Sequence, residues 1–508
     1  MCDGHDGRPQ PTGAHFIVAA ASGRAAADFA PRAHNARMSP PATPVEPATG
    51  PAFSTLPLAG PVLDRLQRLG FQGMTPIQAA SLPLSLAGRD LIAQARTGSG
   101  KTVAFALPLL GRLDLRRFVV QALVLCPTRE LADQVAQEIR RMAGAEDNLK
   151  LLTLCGGVPL RPQRESLAHG AHVVVGTPGR ILDHLGRESL ALDALRMLVL
   201  DEADRMLDMG FGEDIAAIAK QCPAAPQRQT LLFSATYPDD VARLAARYLQ
   251  APQEVRLAGR PVSAEIDERF YEVTEAGRLH AVGLLLDHFR PERTLAFCNT
   301  RQQCRDLAAV LQAQGVVALE LHGELEQRER DQVLVQFTQR SCSVLVATDV
   351  AARGLDIAQL DAVINVDITP EVQLHTHRIG RTGRAGASGR VFNLASLDEM
   401  GRVGRIEDMQ GREAAWHPLA GLTPAPPPPL QPPMVTLQIA GGRKEKIRAG
   451  DVLGALTKDL GLDAAAVGKI DINDFSTFVA VRRDVADAAL RGLNAGRIKG
   501  RSVKVRRL

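Results

Sequence analysis

Short, nearly unbroken apolar runs punctuate the chain between residues 53 and 415, each closed by polar or glycine-rich residues. "ALVLCPT", "HVVVGTPGR", "MLVLDEAD" and "TLLFSAT" form a first series, and "RTLAFCNT", "SVLVATDVAARG" and "AVINVD" a second. Runs of this length, apolar at every position and separated by helix-like stretches, predict buried strands of parallel sheets. Two series in succession predict two α/β domains in tandem, at residues 51–255 and 262–415. Ligands in such sheets bind beyond the carboxyl ends of the strands.

The pattern breaks on either side of this region. Residues 1–50 are rich in Ala, Gly, Pro and Arg without periodicity, which predicts a disordered extension. Residues 416–433 carry "PLAGLTPAPPPPLQPP", a proline-rich linker expected to be extended and semi-rigid. Beyond it, residues 434–508 read strand, helix, two hairpin-like strands, helix, strand. That β-α-β-β-α-β order predicts a small α+β domain with the layout of RNA-recognition modules.

Charge separates this last segment from the rest. The chain of 508 residues has a net charge of +4, but residues 434–508 alone hold 15 Lys and Arg against 8 Asp and Glu. A polyanion partner is expected there, although a solvated charged face gives the same count. No apolar run approaches the ~18 to 20 residues of a membrane span. Residues 1–50 also lack a charged start followed by an apolar block, so a soluble, unexported, cytoplasmic protein with no membrane partner is expected. The seven cysteines form no C-x-x-C pair and sit mostly in apolar runs, which predicts buried free thiols.

"ARTGSGKT", residues 95–102, nearly spells the phosphate loop G-x-x-x-x-G-K-[ST], with Ala95 in place of the first glycine. Backbone N–H groups of Thr97, Gly98, Ser99 and Gly100 would cradle phosphates at a helix start, Lys101 would reach the β and γ phosphates, and Thr102 would hold Mg²⁺. Taken alone, the string also fits an ordinary strand-to-helix turn. "LVLDEAD" adds Asp201 and Glu202 at the end of an apolar strand, where one acid can hold Mg²⁺ and its neighbour can polarise water.

With these strings together, the chain resembles the DEAD-box ATP-dependent RNA helicases, whose phosphate loop begins with alanine. The resemblance implies two tandem RecA-like domains followed by an RRM-like domain, RNA-stimulated hydrolysis of ATP with Mg²⁺, and local unwinding of RNA duplexes. It further implies that Gln78 of "GFQGMTPIQ" reads the adenine edge, with Phe53 upstream and Phe71 against the base; Met74 stands where the family has proline. RNA backbone contacts would come from Pro127, Thr128 and Arg129 of "PTRELA", Gly157 of the "GG" pair, and Thr177, Pro178, Gly179 and Arg180 of "TPGR". The second domain would add Gln327 and Arg330 of "QRER" and Thr348, while Gly354 and Asp356 would face the ribose of ATP. Ser234 and Thr236 of "SAT", with Asp204 and His377, would couple the nucleotide and RNA sites.

"HRIGRTGR" places three arginines on one loop or helix face, where they repel one another unless an anion lies between them. By resemblance, Arg381 and Arg384 are arginine fingers on the γ-phosphate. The tail resembles the C-terminal domain of the bacterial DbpA-type helicases, which implies binding to 23S ribosomal RNA in precursors of the large subunit, by a protein acting as a monomer; the alternative is a general DEAD-box RNA helicase or an ATP-gated RNA clamp without 23S specificity. Within the tail, "FSTFVAV" keeps Phe478 and Val479 of the RNA-recognition strand, but Ser476 and Val481 replace aromatics. Lys444, Lys446, Arg448, Arg482, Arg483 and Lys499 are then the candidate RNA contacts, each equally readable as a solvated charge.

Overall fold

The computed structural model describes residues 50–95, 98–144, 148–225, 227–256, 266–352, 360–383, 388–423 and 429–508. The expected disordered extension up to residue 49, Cys2, Thr97, Gly354, Asp356, Arg384 and the proline-rich stretch 424–428 lie outside the described residues.

The first sheet has seven parallel strands: β1 (Leu91–Gln94), β2 (Ala122–Leu125), β3 (Leu151–Leu154), β4 (Val173–Gly176), β5 (Met197–Asp201), β6 (Gln229–Ser234) and β7 (Gln253–Arg256). Their order is β3-β4-β2-β5-β6-β1-β7. The reason for the unbroken apolar runs is visible at β2 and β5. Val124, Met197 and Val199 pack into one core, while Leu123, Leu125, Leu198 and Leu200 pack into a second core across the sheet. Helices cover both faces, so no position of a central strand meets water. Full burial of each such side chain stabilises the fold by about 1.5–3 kcal/mol.

The second sheet repeats the plan with β8 (Ile266–Glu272), β9 (Thr294–Cys298), β10 (Ala318–Leu321), β11 (Val344–Thr348), β12 (Ala362–Asn365) and β13 (Gly389–Ala395), all parallel, in the order β10-β11-β9-β12-β13-β8. The described ends of the proline-rich segment lie against this domain. Leu430 is buried in its core, and Gln431 Nε2 donates to the Gly315 carbonyl at 2.6 Å.

The third sheet is antiparallel, with β14 (Met434–Ala440), β15 (Val467–Ile472), β16 (Ser476–Arg482) and β17 (Val505–Arg507) in the order β15-β16-β14-β17. Helix Ala449–Gly454, continued by a π turn over Ala455–Asp459, and helix Ala486–Ala495 cover one face through Leu437, Val479, Val481, Leu456 and Leu493. Fold class therefore matches the hydrophobic pattern: two parallel-sheet domains and a small α+β domain. All six described cysteines are free and buried. Among the described residues no helix is long and apolar enough to cross a membrane.

Candidate active site and nucleic-acid interface

Strand β1 ends at Gln94, and helix Lys101–Gly111 starts seven residues later. Gly98 and Gly100 bend the connection with φ of 82° and 90°, a left-handed backbone that an L side chain adopts only with strain. A Cβ on Gly100 would also sit 2.4 Å from the Gln78 amide nitrogen. Gln78 is buried and ties two segments together, accepting from the Thr75 N–H at 2.9 Å and donating to the Gly100 carbonyl at 3.1 Å. Its amide thus links the expected adenine-reading element to the phosphate loop. Phe53 is buried in the first core with the half-buried Phe71 edge-on to it, and Arg141 lies over the Phe71 ring.

The chemistry converges where this loop meets the end of β5. Lys101 is 6% exposed and Asp201 3% exposed, yet Lys101 Nζ and Asp201 Oδ1 have no hydrogen-bond partner, nor does the buried Ser99 hydroxyl. Buried polar atoms left unpaired cost ~1–3 kcal/mol each, more when charged. A phosphate chain with a divalent cation fits such a set. Among the described residues no three His, Cys, Asp or Glu side chains group to hold a metal. Mg²⁺ characteristically takes one or two carboxylates plus substrate phosphates, which is the donor set of Asp201 and Thr102 beside a nucleotide.

Burial pushes the Asp201 carboxyl up to about 6, with Lys101 opposing and Glu202 adding to the rise. Glu202 goes the other way. Burial alone would raise it, but Arg205, Lys101 and Arg381 together hold it below the ordinary carboxylate value. Two adjacent acids are therefore driven apart in proton affinity. Glu202 also has a left-handed backbone (φ 54°, ψ 54°), a strain of ~1–3 kcal/mol of the type found at functional sites. Arg205 Nη1 donates to its carboxylate at 2.8 Å. Sequence reasoning passed over Arg205, although its position three residues after Glu202 on a helix was the available signal.

From Glu202 the connections run outward. The Asp204 N–H donates to Ser234 Oγ at 3.2 Å, and both the N–H and the hydroxyl of Thr236 donate to Asp204 Oδ2 at 2.8 Å. Burial alone would raise the Asp204 carboxyl, but the Thr236 bonds and Lys101 hold it below its ordinary value, and His377, from the second domain, is close enough to add to the lowering. Burial and the nearby Arg205 push His377 itself down to about 4, so it is neutral near pH 7. The residues expected to couple the two sites are in one place.

Among the arginines of "HRIGRTGR", Arg381 is 3% exposed and close enough to Glu202 to lower its proton affinity. Arg378 differs from the expectation of an external anion between the three. It is 1% exposed and bonded to Asp349 at 2.8 and 2.6 Å, to Asn299 at 3.0 Å and to the Asp367 carbonyl at 2.8 Å. Its anion is internal, since Asp349 opens the short helix just after β11.

The RNA candidates occupy the ends of β2, β4 and β11 and the start of helix Gln327–Thr338. Thr128 caps helix Arg129–Ala143, and Thr177 precedes helix Pro178–Gly186, so both helix starts present N–H donors beyond the strand ends. Gly157, at φ 76°, brings the two domains together: a Cβ there would lie 3.5 Å from Gln327 Oε1 and 3.6 Å from Arg129 Nη1. Arg330 donates to Glu130 of the first domain at 2.8 Å, a cross-domain pair whose acidic partner sequence reasoning did not single out. Thr348 is half-buried at the end of β11. Arg180 is satisfied largely within its own domain, by the Val158 carbonyl at 3.0 Å and Gln163 at 2.9 Å. In the tail, Lys499 Nζ reaches the Lys446 carbonyl at 2.8 Å, with Lys444 and Arg448 exposed nearby in sequence, whereas Arg482 is paired with Asp484 at 2.6 Å.

Comparison with known proteins matches this layout. Residues 75–244 match the DEAD/DEAH box helicase family, 278–386 the helicase conserved C-terminal domain, and 436–507 the DbpA RNA binding domain. The chain is 49% identical over 459 residues to the ATP-dependent RNA helicase DbpA of Escherichia coli, covering 90% of this chain and 99% of that protein. It is 44% identical over 331 residues to the ATP-dependent RNA helicase CshA of Listeria monocytogenes, covering 65% of this chain and 63% of that one. Among solved structures, S. cerevisiae Dbp5 bound to RNA and ADP BeF3 is 29% identical with a TM-score of 0.66, covering 72% of this chain and 96% of Dbp5. Mss116 bound to ssRNA and UDP-BeF is 27% identical with a TM-score of 0.64, covering 72% of this chain and 79% of that one. The chain belongs to the DEAD-box ATP-dependent RNA helicases, and within them to the DbpA type.

Proposed function

We propose that this helicase unwinds short duplexes in 23S ribosomal RNA during assembly of the large subunit, acting in the cytoplasm as a monomer, with the tail supplying the address. The observation that carries the hydrolytic part is the set of buried, unpaired atoms on Lys101, Asp201 and Ser99. Lys101 and the N–H groups of the glycine loop would bind the phosphates, while Asp201 and Thr102 would hold Mg²⁺. Bound Mg²⁺ supplies charge neutralisation along the phosphate chain. Glu202, kept ionised by Arg205, Lys101 and Arg381, orients the attacking water and accepts its proton. Arg381, with Arg384, stabilises charge developing on the transferred phosphoryl group.

Asp204 ties this centre to Ser234 and Thr236, and the Arg129, Gly157 and Gln327 approach joins the two halves of the RNA groove. Phosphate contacts of this kind position a strand without reading its sequence. The core therefore has no address of its own, and the basic tail is its source. Binding coupled in this way is reciprocal, so RNA tightens ATP binding by the factor by which ATP tightens RNA binding.

Steady-state ATPase activity of the full chain tests this reading, measured without nucleic acid, with 23S ribosomal RNA, with an unrelated RNA of equal length and with DNA. Strong stimulation by 23S RNA alone is expected, and Glu202→Gln should lose turnover by at least about 100-fold while retaining RNA binding. Equal stimulation by both RNAs would leave a helicase without the proposed address. Equal turnover in Glu202→Gln would remove the role given to that carboxylate.

A further inference from the structure

The tail's sheet has one face covered by its own helices and one face turned outward, and even-numbered positions of β14 and β16 point outward. In RNA-recognition modules such an outward face is the platform on which bases stack. Here part of it is closed by the second helicase domain. Gln339, 2% exposed, donates to Asp471 at 3.0 Å and to the Phe478 carbonyl at 3.3 Å, and accepts from the Thr436 hydroxyl at 3.0 Å. Ser341 meets the same hydroxyl at 2.5 Å, and the Met434 N–H donates to the Arg340 carbonyl at 3.2 Å. Phe478, the aromatic that fits the recognition pattern, is 4% exposed beneath this contact.

The rest of the outward face is open. Beside the closed part lies a cleft of about 660 Å³, walled on the tail side by Gln438, Ser476, Lys504, Arg506 and Phe475, and on the helicase side by Arg328. That volume is in the ~300–1,000 Å³ range of ligand sites. Three cations face the cleft and no carboxylate lines it. Arg328 and Lys504 have no ion-pair or side-chain hydrogen-bond partner among the described residues, and Arg506 donates to the neutral Gln438 at 2.7 Å. Phe475, in the β15–β16 turn, is 70% exposed. An unpartnered aromatic beside uncompensated cations matches what a single strand needs, a stacking surface for a base and positive charge for its phosphates. The position fits as well, because Arg328 adjoins Gln327, which approaches Gly157 and Arg129 of the core groove.

We propose that this two-domain cleft is a single-stranded RNA site continuous with the helicase groove, in which Arg328, Lys504 and Arg506 bind phosphates and Phe475 stacks one base. The assignment rests on the RNA helicase activity and is independent of the 23S address. Phe475, one position before Ser476, then supplies from the turn the aromatic that the strand lacks.

The test is fluorescence anisotropy of a labelled 20-nucleotide oligouridylate with the full chain and a non-hydrolysable ATP analogue, across a salt series. Phe475→Ala is expected to weaken binding about tenfold, in keeping with base–aromatic stacking, and Phe475→Tyr to restore it. Arg328→Ala and Arg506→Ala are each expected to flatten the slope of log K against log salt by about 0.7, the loss of one phosphate contact on a single strand. Unchanged affinity in Phe475→Ala overturns the stacking site. An effect of Phe475→Ala without any from Arg328→Ala overturns the two-domain cleft, because the strand would then lie on the tail alone. Unchanged RNA binding and salt slope in all the variants would overturn the proposal. Oligouridylate stimulation of ATPase activity in the wild type separates these outcomes from failure of RNA-dependent hydrolysis itself.

Discussion

Each parallel-sheet domain buries a cluster of charge, and the two clusters are finished differently. In the second domain, Arg278 is 2% exposed and bonded to Glu399 at 2.8 Å, to the Val366 carbonyl at 2.6 Å and to Asp367 at 3.4 Å. Arg378 is equally complete, with Asp349, Asn299 and the Asp367 carbonyl around it. In the first domain, Lys101 and Asp201 are buried to a similar degree but keep atoms without partners. A finished cluster is scaffold, since its donors and acceptors are used up by the fold. An unfinished one carries a free-energy cost that a ligand removes on binding, which is how a site differs from a core of similar composition.

Removing a member should separate the two kinds. Arg278→Ala leaves Asp367 buried without its cation and Glu399 with only Arg402 at 3.4 Å, and a loss of about 3–5 kcal/mol in stability is expected from urea unfolding. A loss under about 1 kcal/mol would mean that the second cluster is not the finished scaffold described above. The histidine beside Asp204 and Arg205 gives a smaller, pH-dependent effect. His377 falls to about 4 in the folded protein, below its ordinary 6.5, so the unfolded chain takes up the proton first. Its contribution is complete above pH 6.5 and is lost as pH falls toward 4, by on the order of 3 kcal/mol. The unfolding midpoint of His377→Gln should fall less steeply than wild type across that window, and parallel curves would contradict the burial of a neutral ring.

The same contrast explains what could be read in the sequence. The central strands were legible because both faces are buried, so β2, β5, β9 and β11 read as unbroken apolar runs. The edge strand β7, "QEVR", carries mostly polar side chains at a half-exposed position and gave no such signal. Motifs that bend the backbone, such as Gly98 and Gly100, and acids at strand ends, such as Asp201, were legible because local geometry and ligand chemistry dictate residue type there. Partners distant in sequence were not. The pairs Arg330 with Glu130 and Arg378 with Asp349, and the Gln339 contacts with the tail, form only when separate elements pack. No periodicity records them.

The most direct test of the unfinished cluster is thermal unfolding of wild type and Asp201→Asn at pH 7, first with EDTA and no nucleotide, then with Mg²⁺ and ATP. Burial holds the Asp201 carboxyl up at about 6, so at pH 7 its ionised form opposes folding. Asp201→Asn should then melt higher than wild type without ligand, by roughly 1–3 kcal/mol in stability. Mg²⁺ and ATP should stabilise wild type by about 2.7 kcal/mol at 100 times the dissociation constant and the variant by much less. A variant that melts lower without ligand, yet gains as much from Mg²⁺ and ATP as wild type, would make Asp201 scaffold and place the metal elsewhere.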